Sequence, residues 1–186
     1  MLLTNHHTIE LIQLSISGNR NAQGEIYKRY YKAMYNVSRR IVNDEMEAED
    51  IMQESFLKAF RKLHTLKDQN TFGAWLKRIV INNSVQFLKD AKKENVKSIE
   101  NELYRLEDDS NDGISTDETN SKVKFILKQI DQLKENYKLA LTLHLIEGYD
   151  YDEICEIMEI SYANCRTMIS RAKESLRNKL QPSLNS

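Results

Sequence analysis

The residues best equipped for chemistry in this chain are cations and hydroxyls at helical spacing near its C-terminus. Between Tyr162 and Leu180, Arg166, Arg171, Lys173, Arg177 and Lys179 outnumber Glu174, a local charge of about +4. Thr167 and Ser170 lie among them. Asp150 precedes a short segment from Tyr151 to Met158, and Ser161 precedes the basic segment; each can cap a helix by accepting a backbone N–H. Only Glu159 and Ile160 separate the two segments. A short helix, a tight turn and a longer basic helix make a helix-turn-helix, whose second helix enters the DNA major groove. The crossing needs a small residue, here Cys155, and apolar ones, here Ile154, Ile160, Cys165 and Ile169. An ordinary helical hairpin with a solvated basic face has the same spacing.

A second cationic stretch lies upstream. From Ser55 to Lys93, Lys58, Arg61, Lys62, Lys67, Lys77, Arg78, Lys89, Lys92 and Lys93 stand against Asp68 and Asp90, about +7. From Glu94 to Asn120 the sign reverses to about −7. The net charge of −1 therefore averages two basic bodies and one acidic strip, and does not argue against a nucleic-acid partner.

Catalytic chemistry lacks its parts. There is no glycine-rich phosphate loop, no His/Cys cluster at metal spacing and no paired nucleophile and base. Asp108-Asp109 belongs to the acidic strip, and His6-His7 reads as a disordered N-terminal pair. Cys155 and Cys165, ten apart without a CxxC pair, suggest neither zinc nor a disulfide framework. No enzyme activity, metal or cofactor is expected. Without a signal peptide or a membrane-length apolar run, a soluble, cytoplasmic protein that does not insert into membranes is expected.

The elements that must position the cations are helices. One proline and five glycines in 186 residues leave little turn chemistry for strands, so the fold class is all-α. Ile26, Tyr30, Ala33, Met34, Val37 and Ile41 draw one helical stripe over Glu25 to Ile41. Asp44 with Glu47 marks a second helix, with the stripe Ile51, Met52, Ser55, Phe56, Ala59, Phe60 and Leu63. Its other flank, Asp50, Gln53, Glu54 and Leu57, is left for a partner. His64 to Thr71 reads as a loop. Phe72, Trp75, Leu76, Ile79, Val80, Asn83 and Phe87 then stripe a third helix to about Lys92, with Lys77, Arg78 and Lys89 off the stripe. A polar stretch follows, and a C-terminal body begins near Lys122 with Phe125, Ile126, Ile130, Leu133, Tyr137, Ala140, Leu141, His144 and Leu145, closed by Gly148. The expected organisation is a domain over 1–93, an acidic linker over 94–121 and a helix-turn-helix domain over 122–186. Fully extended, the linker reaches about 90 Å.

Asp131 to Leu180, with Glu147-Gly148-x-x-Tyr151-x-Glu153-Ile154, resembles region 4 of the extracytoplasmic-function (ECF) sigma factors of the sigma-70 family. Glu47 to Leu63, followed by Phe72-x-x-Trp75-Leu76-x-Arg78-Ile79, resembles their region 2. The resemblance covers nearly all of the chain beyond Gly18. It implies an RNA polymerase sigma subunit for promoter recognition, DNA melting and transcription initiation, with core RNA polymerase (clamp and flap), double- and single-stranded promoter DNA and an anti-sigma factor as partners. By position it implies that Asp50, Gln53 and Glu54 face the clamp. The loop Leu66, Lys67, Asp68, Gln69, Asn70 and Thr71 would hold a flipped base of the minus-ten element, with Lys77, Arg78, Asn82 and Lys89 gripping bases and phosphates. That combination of a cationic track and a pocket suits single-strand capture. Trp75, on the apolar stripe, is assigned to the core rather than to base stacking. Arg166, Thr167, Ser170 and Arg171 would reach base edges of the minus-thirty-five element, and Lys173 its phosphates.

Four positions depart from the family's usual pattern: Gln86 and Lys89 late in region 2, Glu159 where the turn usually has Gly, and Met168 in place of a frequent cation. A promoter spacer of about 17 base pairs spans about 58 Å, within the linker's reach. A stand-alone helix-turn-helix regulator is the main alternative and leaves the polar flank of the second helix unexplained; an enzyme is the second.

Overall fold

The computed structural model describes residues 7–97 and 118–184. Every regular element among them is helical. The chain divides into two compact units, Met1–Lys92 and Lys93–Ser186, each with its own core.

The first unit opens with α1 (Thr8–Ile16), which buries Leu11, Ile12 and Ser15. Sequence analysis assigns no helix here and expects disorder at His7. Instead the His7 N–H donates to Glu10 Oε2 at 3.3 Å, satisfying one end-group of the helix. Gly18, at φ +86°, and Asn19, whose Oδ1 accepts from Asn21 and Ala22, then stop α1 and start α2 (Arg20–Val42). Ile26, Met34, Val37 and Ile41 are buried as the periodicity predicts. Ala33 is exposed, because the stripe drifts away from the core side at that turn. Asp44 Oδ1 caps α3 (Glu45–Lys62) by accepting the Glu47 N–H at 3.0 Å. α3 buries Ile51, Met52, Ser55, Phe56 and Ala59, with Leu63 just after it.

Two short 3-10 turns, Leu63–Thr65 and Gln69–Thr71, replace the plain loop expected before α4 (Phe72–Lys97). α4 buries Phe72, Leu76, Val80, Ile81 and Val85, a wider arc than the predicted stripe. Polar residues join that arc because they have partners. Ser38 and Ser84 Oγ lie 3.0 Å apart between α2 and α4, and the Asn83 amide donates to Ser55 Oγ at 2.7 Å. The end of α4 enters the expected linker: residues 94–97 are helical, since nothing from Ala91 to Lys97 breaks a helix. α5 (Glu118–Asp131) takes the linker's other end. The remainder of the linker lies outside the described residues.

In the second unit α5 is followed by α6 (Glu135–Leu141), which continues into a π-helical turn, Thr142–Ile146. Then come α7 (Tyr151–Met158) and α8 (Tyr162–Leu184). Ile130, Leu133, Leu141, Ala172 and Leu176 form one core cluster, with Tyr137, Ile146 and Leu180 packed on it, and Leu143, Ile154, Cys165 and Ile169 are fully buried as well. Three residues expected inside are outside: Phe125 is 38% exposed, Ile126 40% and Leu145 50%. Among the described side chains of α5, the one that enters the core is Ile130, at the C-terminal end. Lys138, by contrast, is buried, and its ammonium pairs with Asp131 at 2.7 Å.

Candidate nucleic-acid and polymerase interfaces

Local chemistry builds the helix-turn-helix. Asp150 Oδ1 accepts the Glu153 N–H at 2.8 Å while Glu153 Oε2 accepts the Asp150 N–H at 3.0 Å, a reciprocal capping box. α7 ends at Glu159, left-handed at φ 56° and ψ 47°, and the Ile160 N–H donates to the Cys155 carbonyl at 3.1 Å. Ser161 Oγ then accepts the Asn164 N–H at the start of α8. α8 buries Cys165, Ile169, Ala172 and Leu176. At about 100° per residue, Thr167 and Arg171 project opposite that row, with Arg166 and Ser170 beside them. All four are exposed, and Lys173 at the margin is half-buried. The Thr167 hydroxyl donates to the Ala163 carbonyl at 2.9 Å, so its oxygen and methyl are what it presents outward. Sequence analysis passes over Tyr162, which is 51% exposed one turn before Arg166, its ring 6.2 Å from that of Tyr151. An aromatic at the first position of a recognition helix is the signal that could have found it.

In the first unit, the segment Leu66 to Thr71 is organised by Asp68. Its Oδ1 accepts from both the backbone N–H and the side-chain amide of Asn70 at 2.9 Å, and its carbonyl accepts from the Thr71 hydroxyl at 2.7 Å. Lys67, Asp68, Asn70 and Thr71 are exposed; Leu66 and Gln69 are half-buried. The following helix is seated by aromatic packing: Phe72 meets Tyr30 edge-on at 5.2 Å, and a Cβ on Gly73 would lie 3.3 Å from the Tyr30 ring. Along α4, Trp75, Arg78, Asn82 and Lys89 recur at steps of three, four and seven and so share one face. Asn82 is exposed and the other three are half-buried. Trp75 thus sits at the rim, 6.0 Å from Phe72, rather than in the core. Lys77 lies about 100° from Arg78, off that face. Gln86 is exposed on the face and donates to both oxygens of Asp90 at 3.0 and 2.9 Å.

On α3, Asp50, Gln53 and Glu54 are all exposed, and the flank is less uniformly polar than expected. Leu57 is 61% exposed and Met46 78%. Nor are its polar groups all idle: the Gln53 amide donates to Glu49 at 3.2 Å. Glu54 pairs with Lys58 at 3.0 Å, and Lys58 donates to Asn83 Oδ1 at 3.0 Å. A polar chain therefore ties the outer flank of α3 to α4.

The Sigma-70 region 2 family matches residues 26–94, and the Sigma-70 region 4 family matches residues 126–176. The ECF RNA polymerase sigma-E factor of Salmonella typhimurium strain LT2 is 30% identical over 190 residues, covering 97% of this chain and 96% of that protein. The chain belongs to the ECF sigma factors of the sigma-70 family. The RNA polymerase sigma-H factor of Pseudomonas aeruginosa is 29% identical over 193 residues, covering 98% of each chain. Solved structures share the fold. CnrH, in complex with the cytosolic domain of CnrY, has a TM-score of 0.54 at 22% identity, covering 94% of this chain and 97% of that one. The sigma factor RpoE, in complex with the anti-sigma factor NepR from Bartonella quintana, has a TM-score of 0.56 at 18% identity, covering 85% and 96%. In this ECF sigma factor α3 and all but the last three residues of α4 fall within the region 2 match, and α6 and α7 within the region 4 match. Among the described residues no helix is long and apolar enough to cross a membrane.

Proposed function

We infer that the chain does the work of its family: it joins core RNA polymerase, directs it to promoters and assists melting, without catalytic residues of its own. It acts in the cytoplasm. The observation that carries this function is the presence in one chain, in order, of region 2 and region 4 matches, each on a unit with an exposed face of the required chemistry. Asp50, Gln53 and Glu54 bind the polymerase clamp, with Met46 and Leu57 adding apolar contact. The loop 66–71 holds a flipped base of the minus-ten element, and Arg78, Asn82 and Lys89 line the track beyond it, Trp75 supplying an aromatic edge. Lys77 serves from the side. Arg166, Thr167, Ser170 and Arg171 read minus-thirty-five base edges, where one bidentate arginine is worth about 1–3 kcal/mol of discrimination; Lys173 meets phosphate. The region 4 unit also engages the polymerase flap. The 1–93 and 122–186 domains act as two reading heads on one tether.

An anti-sigma factor is a further partner, as NepR is for RpoE. Mixing the purified chain with core polymerase, transcribing genomic templates and mapping start sites tests the function. A stable complex and starts sharing two spaced elements are expected; DNA binding without either would leave a stand-alone regulator. Reversing the charges of Asp50 and Glu54 should weaken core binding while sparing DNA binding by α8.

A further inference from the structure

The recognition helix carries one exposed group that the function proposed above leaves idle. Tyr162, the first residue of α8, is 51% exposed. Its ring lies 6.2 Å from that of Tyr151, the first residue of α7. Tyr151 in turn meets the His144 ring edge-on at 5.1 Å, and His144 Nδ1 lies 3.2 Å from the Tyr149 carbonyl. Three rings therefore run outward from the π-helical turn, across the start of α7, to the start of α8. The inner two are half-buried and support the outermost, so Tyr162 gives up little side-chain freedom on meeting a partner.

Position selects that partner. At about 100° per residue, Tyr162, Arg166 and Lys173 lie within about 40° of one another. They follow the margin of the exposed face, beside the buried Ile169 rather than opposite it. In a helix-turn-helix the recognition helix enters the groove while the first helix crosses the DNA backbone. A ring at the margin of α8, resting on the first residue of α7, is therefore placed for the backbone rather than for base edges. The phenol is an O–H donor, and a phosphate oxygen is a charged acceptor that makes the stronger kind of hydrogen bond.

We propose that the Tyr162 hydroxyl donates to a phosphate of the duplex that α8 reads, and so fixes how the recognition helix sits in the groove. The proposal rests on the reading of α8 as a DNA-reading helix. Phosphate contacts position a protein without carrying sequence information, so Tyr162 sets the depth at which Arg166, Thr167, Ser170 and Arg171 meet their bases. As a neutral donor it displaces no counterion, unlike Lys173.

The test uses the full-length chain, alone and with core RNA polymerase, on duplexes that it selects from a random pool. Tyr162→Phe keeps the ring against Tyr151 and removes only the donor, and its affinity should fall about tenfold. Its preference for the selected duplex over single-base variants should match that of the parent chain, and so should the slope of affinity against salt. Duplexes carrying one uncharged methylphosphonate at a time then locate the contact. At one position the parent chain should lose about tenfold more than Tyr162→Phe does. If Tyr162→Phe binds like its parent, the ring serves packing alone and the proposal is overturned. A changed preference among base variants would overturn it as well, and so would equal losses by the two chains at every methylphosphonate. If neither preparation selects a duplex, the proposal fails together with the DNA-reading role of α8. If the chain selects duplexes but never initiates transcription, the function proposed above fails, while Tyr162→Phe still decides this contact.

Discussion

Glu159 holds a backbone conformation that a side-chain-bearing residue adopts at a cost of about 1–2 kcal/mol. Sequence analysis finds Glu where related turns have Gly, and the turn keeps its positive φ regardless. Glu159→Gly should therefore stabilise the second unit by about 1 kcal/mol, less than the full strain because glycine also loosens the unfolded chain. Ser15 is a second isolated misfit: its buried hydroxyl has no hydrogen-bond partner. Ser15→Ala should stabilise the first unit by about 1–2 kcal/mol, through the relieved hydroxyl and better helix propensity. The lone tryptophan separates the two effects. Trp75 lies in the first unit, so its fluorescence in a denaturant titration should shift with Ser15→Ala and stay put with Glu159→Gly, whereas circular dichroism should register both.

At the scale of elements, the segment between α3 and α4 is held in shape before any ligand arrives. Asp68 plays the part of a cap, and one such interaction is worth about 1 kcal/mol. Asp68→Ala should loosen the loop and cut open-complex formation about fivefold, matching that energy, as read by permanganate reactivity of melted thymines. Asp68→Asn, which still offers an acceptor oxygen, should retain most of it. Equal loss in both variants would assign Asp68 a direct electrostatic contact instead. The caps at Asp44, Asp150 and Ser161 were legible in the sequence because a cap is a local event of three or four residues. α1 was not, since nine residues with two buried aliphatic side chains scarcely form a periodic pattern.

For the whole molecule, the proposed tether must let two reading heads reach elements about 58 Å apart. Removing residues 100–117 cuts the extended reach by about 60 Å at 3.3 Å per residue. Transcription from two-element promoters should then fall by more than tenfold, while each unit keeps its denaturant transition. An unchanged yield would mean that one head suffices. The two compact units meet between Lys92 and Lys93, and helices intrude on both ends of the acidic strip, because acidity and polarity mark solvation rather than a helix stop.

By itself the sequence determined the all-helical class, the order of the two bodies, the turn between α7 and α8 and the outward faces of Arg166, Ser170 and Arg171. Each depends on propensity, capping and the repeat of a single helix, which are short-range. Tertiary structure decided what needs a second element: that Trp75 sits at a rim, that Phe125, Ile126 and Leu145 stay outside the core, and that Lys58 joins Glu54 to Asn83. It also set the Cys165 sulfur 3.7 Å from the Tyr151 carbonyl. Periodicity identifies which residues share a face, but only the packing of another helix determines how much of that face is covered and which side chains meet there.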